Sequence, residues 1–219
     1  MIYQINLFIQ SILRNIDGAI GMKLRYYYYR RRLGYCGKNV RIDIGVVFQS
    51  PKCIFLDDNV WIDKYVCLIA GKPQNDLRPT KVIKNINYLH NKGEIHIKSN
   101  VHICPYCLIQ GHGGVFIGLN AGIASGTKVY SYSHHYKNLI TQDKKIYYLT
   151  SLVENNKQFM IEGPIVLDKG VAIGLNSTIL PGVFVPENSW FGTSSTITNK
   201  SYKPNSVYTQ KSDFFEKTK

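Results

Sequence analysis

Ile97-Lys98-Ser99-Asn100-Val101-His102-Ile103-Cys104-Pro105-Tyr106-Cys107-Leu108-Ile109 and, a little further on, Ile117-Gly118-Leu119-Asn120-Ala121-Gly122-Ile123-Ala124-Ser125-Gly126-Thr127-Lys128-Val129 carry one pattern. An apolar residue returns every sixth position, and a small or β-branched residue follows it by four. Outward from this pair the same columns read Cys36, Ile42, Phe48; Leu56, Ile62, Leu68; Leu167, Ile173, Ile179; and Val185, Phe191, Ile197. At a hydrophobic content of 44%, eighteen apolar hits arise by chance on the order of 10⁻⁶ before the freedom to choose a register is allowed for. The second column therefore decides. Val60, Val101, Cys107, Ala121, Thr127 and Ser177 all fit a tight corner beside a large inward residue, and turn-tolerant Gly118-Leu119-Asn120, Gly174-Leu175-Asn176 and Pro186-Glu187-Asn188 fall between them. Three such hexapeptides make one triangular coil, and about six coils are expected to stack as a solenoid with one continuous core. The period does not reveal the hand of the coil.

The period breaks twice, at about 71–93 and 132–163, and irregular insertions of that length in a compact solenoid are usually functional. Residues 1–33 read as a helical segment, with Ile5, Ile9, Ile12, Ile16 and Ile20 on one stripe at 3.6-residue spacing. That stripe is expected to dock on the solenoid or on a partner subunit. Residues 34–205 form the repeat domain, and 206–219 a tail.

The chain of 219 residues carries a net charge of +13, which implies a negatively charged partner such as nucleic acid, an anionic membrane surface or a phosphorylated ligand. The cations are thinly spread except around Tyr26–Tyr29, which Arg25 precedes and Arg30, Arg31 and Arg32 follow. Such amphipathic side chains commonly cover apolar surface at a helix end. RNA-binding motifs with interleaved aromatics are absent, so no nucleic-acid partner is expected. The five cysteines, an odd number without framework spacing, point to a reducing cytoplasm. The first basic residue, Arg14, follows the apolar N-terminal stretch, unlike the order in a secretory signal, and no apolar run is long enough to span a bilayer.

The stretch from Ile117 through Lys128-Val129-Tyr130-Ser131-Tyr132-Ser133-His134-His135-Tyr136 resembles the segment that holds the catalytic histidine in the maltose and galactoside O-acetyltransferases. There, two hexapeptides run directly into a histidine and a loop. Pro164 through Gly174 and Ile179-Leu180-Pro181-Gly182-Val183 look like that family's next coil. The resemblance covers roughly 34–205, with the polysaccharide-modifying members closest in layout. It implies an all-β, left-handed parallel β-helix and a homotrimer whose active sites lie between subunits. It implies acetyl-CoA as co-substrate, with no metal required, and a sugar hydroxyl in surface polysaccharide biosynthesis (capsule or O-antigen) as acceptor. The cytoplasm is the implied compartment, with peripheral attachment at the inner membrane face left open.

By position, His134 matches the general base. Such a group suits the chemistry, because a hydroxyl attacks a thioester only as its proton is removed. Gly174 and Leu175 match the source of the backbone amide facing the tetrahedral intermediate. Thr193 and Thr198 match positions along the pantetheine arm, and Lys200, with Lys203 or Lys211, would meet the CoA phosphates. The sequence departs from the family in having Asn199-Lys200 for a threonine-lysine pair, Val207-Tyr208-Thr209-Gln210-Lys211 where a Gly-x-Pro-Ala motif is common, and Cys104 for an asparagine near the acceptor.

Other readings remain open. An amino sugar acceptor would make the enzyme an N-acetyltransferase. Convergence of His96, His102 and His112 would suit a zinc carbonic anhydrase-like site. The charge would suit a non-catalytic, nucleic-acid-binding solenoid. A single Cys104-x-x-Cys107 without a second pair is a poor metal signature.

Overall fold

A computed structural model describes residues 2–73, 77–141 and 143–209, and for residues 2–5 the backbone alone. Three parallel sheets form the faces of a triangular prism, a left-handed parallel β-helix of six coils. The first face takes strands 35–36, 54–56, 95–97, 115–117, 165–167 and 184–185. The second takes 41–42, 61–62, 102–103, 122–123, 172–173, 190–191 and 207–208, and the third 47–49, 67–69, 108–110, 128–130, 178–179 and 196–197.

The expected columns stack in register. Ile42, Ile62, Ile103, Ile123, Ile173 and Phe191 follow one another up the second face, and Phe48, Leu68, Ile109, Val129, Ile179 and Ile197 up the third. Every column residue except Cys36, in the first coil, is buried. Full burial of one such side chain contributes about 2–3 kcal/mol. In five of the six coils the corner between the first and second faces is set by asparagine, the non-glycine residue that best tolerates positive φ: Asn39, Asn59, Asn100, Asn120 and Asn188 all sit between +52° and +59°, and Gly170 takes the place in the fifth. Their amides also link the coils, with Asn39 donating to Asn59 (3.1 Å), Asn59 to Asn100 (3.2 Å) and Asn100 to Asn120 (3.0 Å).

The N-terminal segment differs from its expectation. It is two helices, α1 (Ile2–Asn15) and α2 (Gly18–Tyr29), because Asp17 caps α2 through a 2.6 Å bond from the Gly18 amide and Gly18 takes a positive φ of +74°. The break divides the isoleucine stripe and leaves Ile12 48% and Ile20 72% exposed, while Ile5 falls where side chains are not described. Docking rests on Gly21, Arg25 and Tyr29 of α2. The buried Arg25 donates from Nε to the Ile42 carbonyl (2.8 Å) and from Nη1 to the carbonyls of Leu13 (2.8 Å) and Ile16 (2.6 Å). Burial lowers its pKa, and Asp43 opposes that shift. Arg25→Ala is expected to cost on the order of 3 kcal/mol by stranding those carbonyls, and chemical denaturation should show helical signal lost before the β-helix unfolds. The tyrosine-arginine cluster packs on itself and on the first coil: Arg32 lies 3.6 Å from the Tyr28 ring centroid, and Tyr29 meets Phe48 edge-on at 4.7 Å. Among the described residues no helix is long and apolar enough to cross a membrane.

Both insertions leave the prism at the edge between the third and first faces, and short strands in them pair with one another. Thr80–Val82 of the first runs parallel to Met160–Glu162 of the second, which pairs antiparallel with Tyr132–His134. Lys92 and Glu162 close the pair with a 2.7 Å ion bridge. At the far end the coil pattern runs past residue 205, since Val207–Tyr208 pairs with Trp190–Phe191 and the Tyr208 ring stacks on Phe191 at 4.7 Å. Lys211 lies outside the described residues.

Candidate functional site

His134 ends the strand through which the second insertion leaves the fourth coil. Gln110, on the coil below, fixes the start of that strand: its Nε2 donates to the Tyr132 carbonyl and its Oε1 accepts from the Tyr132 amide, both at 3.0 Å. Ser131 donates to the Gln110 carbonyl (2.8 Å) and accepts from the Gly113 amide (2.9 Å). The histidine is thus anchored to regular backbone on one side.

On the other side the buried Gln158, from the same insertion, places its Oε1 3.1 Å from His134 Nε2. The Gln158 amide nitrogen donates to the Val153 carbonyl at 2.7 Å, which settles the orientation of the group. Its oxygen, an acceptor only, therefore faces the imidazole, and it also accepts from Arg78 Nη1 at 3.3 Å. This network puts the proton of neutral His134 on Nε2 and leaves Nδ1 as the basic nitrogen.

The cleft in front of His134 encloses about 290 Å³ and is lined by Arg78, Gln110, His112, Tyr130 and Tyr132 among others. His112 Nδ1 lies 2.7 Å from the Gly71 carbonyl, so Nδ1 carries its proton. Both insertions and two coils thus supply one pocket containing a base and a guanidinium, a set suited to taking a proton from a nucleophile on a polar or anionic ligand. His135 is not part of it: its Nδ1 meets the backbone of Lys137.

The remaining expected site residues lie elsewhere on the same chain. Gly174, Leu175 and Thr193 stack at the edge between the second and third faces, where a Cβ at Gly174 would sit 2.6 Å from the backbone of Gly192 and Thr193. The Gly174 amide is committed to the Phe191 carbonyl (2.8 Å), whereas the Leu175 amide has no hydrogen bond among the described residues. Of the two, Leu175 is the available donor. Thr198 and Lys200 lie on the edge that carries His134, two coils on, and the Lys200 ammonium sits 5.5 Å from the Tyr202 ring centroid. None of the five lines the His134 cleft.

His96, His102 and His112 occupy the first face, the second face and a turn, and do not converge. Cys107 is buried at an inward corner, so Cys104-x-x-Cys107 does not present two sulfurs to one ligand.

No family model matches the chain. It is 27% identical over 161 residues to the dTDP-4-amino-4,6-dideoxy-D-glucose acyltransferase of Escherichia coli, a match covering 74% of this chain and 70% of that protein. Its fold superposes on a single-residue variant of AntD, an N-acyltransferase from Bacillus cereus solved with dTDP and coenzyme A, at a TM-score of 0.65 and 22% identity, covering 84% of this chain and 83% of that one. AntD with dTDP and 3-hydroxybutyryl-CoA gives a TM-score of 0.63 at 23% identity, covering 85% and 83%. In sequence and fold the chain is thus similar to sugar acyltransferases. The sequence marked His134 and the insertions around it, and His112 only as a metal ligand, but not Arg78, Gln110 or Gln158. Gln110 sits on a repeat strand as an outward polar residue, His112 lies in the turn between two coils, and Arg78 and Gln158 lie in the insertions, so spacing gave no reason to bring them together.

Proposed function

We propose that the protein is an acyltransferase that moves an acyl group from acyl-CoA to the amino group of a nucleotide-linked amino sugar. The observation that carries this reading is the match over most of the chain to an acyltransferase for a dTDP-4-amino sugar. The AntD complexes, which hold coenzyme A or an acyl-CoA beside dTDP or a dTDP-amino sugar, support it.

The acceptor nitrogen attacks the thioester carbonyl, and His134 Nδ1 takes the proton that the new amide nitrogen must lose. The Leu175 amide, from a neighbouring copy in a homotrimer, stabilises the oxyanion as the tetrahedral intermediate forms. As it collapses, the carbon-sulfur bond breaks and the departing thiolate receives the proton from His134. Thr193 and Thr198 line the pantetheine arm, Lys200 meets CoA phosphate, and Arg78 in the cleft holds anionic or polar groups of the acceptor.

A second reading, O-acetylation of a sugar hydroxyl, is favoured by one feature: the hydrogen-bonded tautomer of His134, since a hydroxyl depends on a base more than an amine does. Free-thiol release from acetyl-CoA with paired acceptors separates the two. Release is expected with dTDP-4-amino-4,6-dideoxyglucose and absent with the matching 4-hydroxy sugar nucleotide. Release with hydroxyl acceptors alone would overturn N-acylation, and release with neither, without CoA binding, would overturn both.

A further inference from the structure

Asp63, His102 and Cys104 form a line on the second face, away from the cleft of His134. Asp63 Oδ1 accepts from the Lys64 amide at 2.7 Å, which frees Oδ2 to meet His102 Nε2 at 3.1 Å. The His102 ring is clamped flat on Trp61, with centroids 4.3 Å apart and planes 11° from parallel. The proton is therefore on Nε2, and the unprotonated Nδ1 lies 3.7 Å from Cys104 Sγ. A thiol, an imidazole facing it and a carboxylate orienting that imidazole are the parts of an activated nucleophile.

The chain leaves room beside this group. The residue in register with His102 on the next coil is Gly122, and a Cβ there would meet nothing within 4 Å. Ala172 follows on the coil after, and only then does a large side chain return, the 59% exposed Trp190. Three coil steps of about 4.8 Å each leave about 14 Å of this face without a large side chain, room for an extended, uncharged acyl chain.

We propose that Cys104 is an acyl-accepting nucleophile that takes the acyl group from acyl-CoA as a protein thioester, with His102 as its base and Asp63 as a positioning residue. The proposal rests on acyl-CoA being the donor. The Cys104 sulfur attacks the thioester carbonyl as its proton passes to His102 Nδ1. The carbon-sulfur bond to CoA breaks, and the departing thiolate takes that proton. The products are S-acyl cysteine and free CoA, with no change of oxidation state. Burial and the Asp63 carboxylate raise the Cys104 pKa, so the resting group is a neutral thiol and attack requires the base.

The test is peptide mass spectrometry of the whole protein after brief exposure to acetyl-CoA, and separately to 4-nitrophenyl acetate, a donor that needs no CoA site, with CoA binding measured alongside. An acetyl group on Cys104, removed by hydroxylamine and absent from the buried Cys107, is expected from both donors. It should be lost in Cys104→Ser and form about 100-fold more slowly in His102→Ala. An unmodified Cys104 with both donors, in protein that binds CoA, would overturn the proposal. Labelling by the ester alone in protein that does not bind CoA would overturn the CoA-based function and the thioester step while leaving the activated thiol. Equal labelling rates in wild type and His102→Ala would remove His102 from its role.

Discussion

His134→Ala is expected to lower kcat/KM for acyl transfer by about 10²- to 10⁴-fold while the β-helix stays folded, the range for removal of a positioned acid-base group. The half-buried ring is held by one side-chain hydrogen bond, and Gln110 fixes the strand through backbone groups that alanine keeps. The loss should therefore fall on kcat, with the KM for acyl-CoA nearly unchanged, because the expected CoA residues lie on other coils. A hydroxyl acceptor would place the loss near the top of the range, and an amine, which attacks with its own lone pair, near the bottom.

Gln158 supplies the internal control. Gln158→Glu replaces a neutral acceptor with a carboxylate beside Nε2, favours the imidazolium, and should move the acidic limb of the pH–rate profile to higher pH. Gln158→Leu removes the acceptor and the bond to Arg78, so the ring loses its preference for the Nε2 tautomer and kcat falls about tenfold. Activity in His134→Ala within twofold of wild type for every acceptor would take the base assignment away from this cleft.

The parts of this molecule that repeat were legible, and the parts that do not repeat were not. Ile97, Ile103 and Ile109 have identical jobs three times over, so their spacing carries the fold; the same logic placed Cys107 at an inward corner. Asp17-Gly18 shows the opposite case, in which two residues with local chemistry of their own overrode a helical period that ran straight through them. The strand pairing of Thr80–Val82 with Met160–Glu162 joins segments some eighty residues apart, and nothing in either marks the other. His134 was singled out by the resemblance of its segment, where repeat turns into insertion, to that of a family's catalytic histidine. Gln158 and Arg78 reach it through tertiary contacts that spacing does not encode, and the line from Asp63 through His102 to Cys104 depends on the register of two coils separated by the first insertion.

Stability should depend on the columns in the same local way. Ile103 is fully buried at mid-prism, in register with Ile62 below and Ile123 above. Both neighbours are held by backbone ladders on two sides, so neither can collapse into the space that Ile103→Ala would leave. A cavity that cannot close costs the transfer of the lost methylenes and the lost packing contacts together, which puts the expected loss at about 3 to 5 kcal/mol, the upper part of the range for such truncations. Ile86→Ala, at a residue 89% exposed in the first insertion, should cost under about 0.5 kcal/mol. Because each coil contacts only its neighbours, a weakened third coil divides the prism. Denaturation of Ile103→Ala should accordingly lose cooperativity as well as midpoint, with the first two coils and their helices opening before the fourth to sixth. A single sharp transition shifted by less than 1 kcal/mol would mean that the core relaxes around the gap, and that the fixed ladder spacing does not govern packing inside the prism.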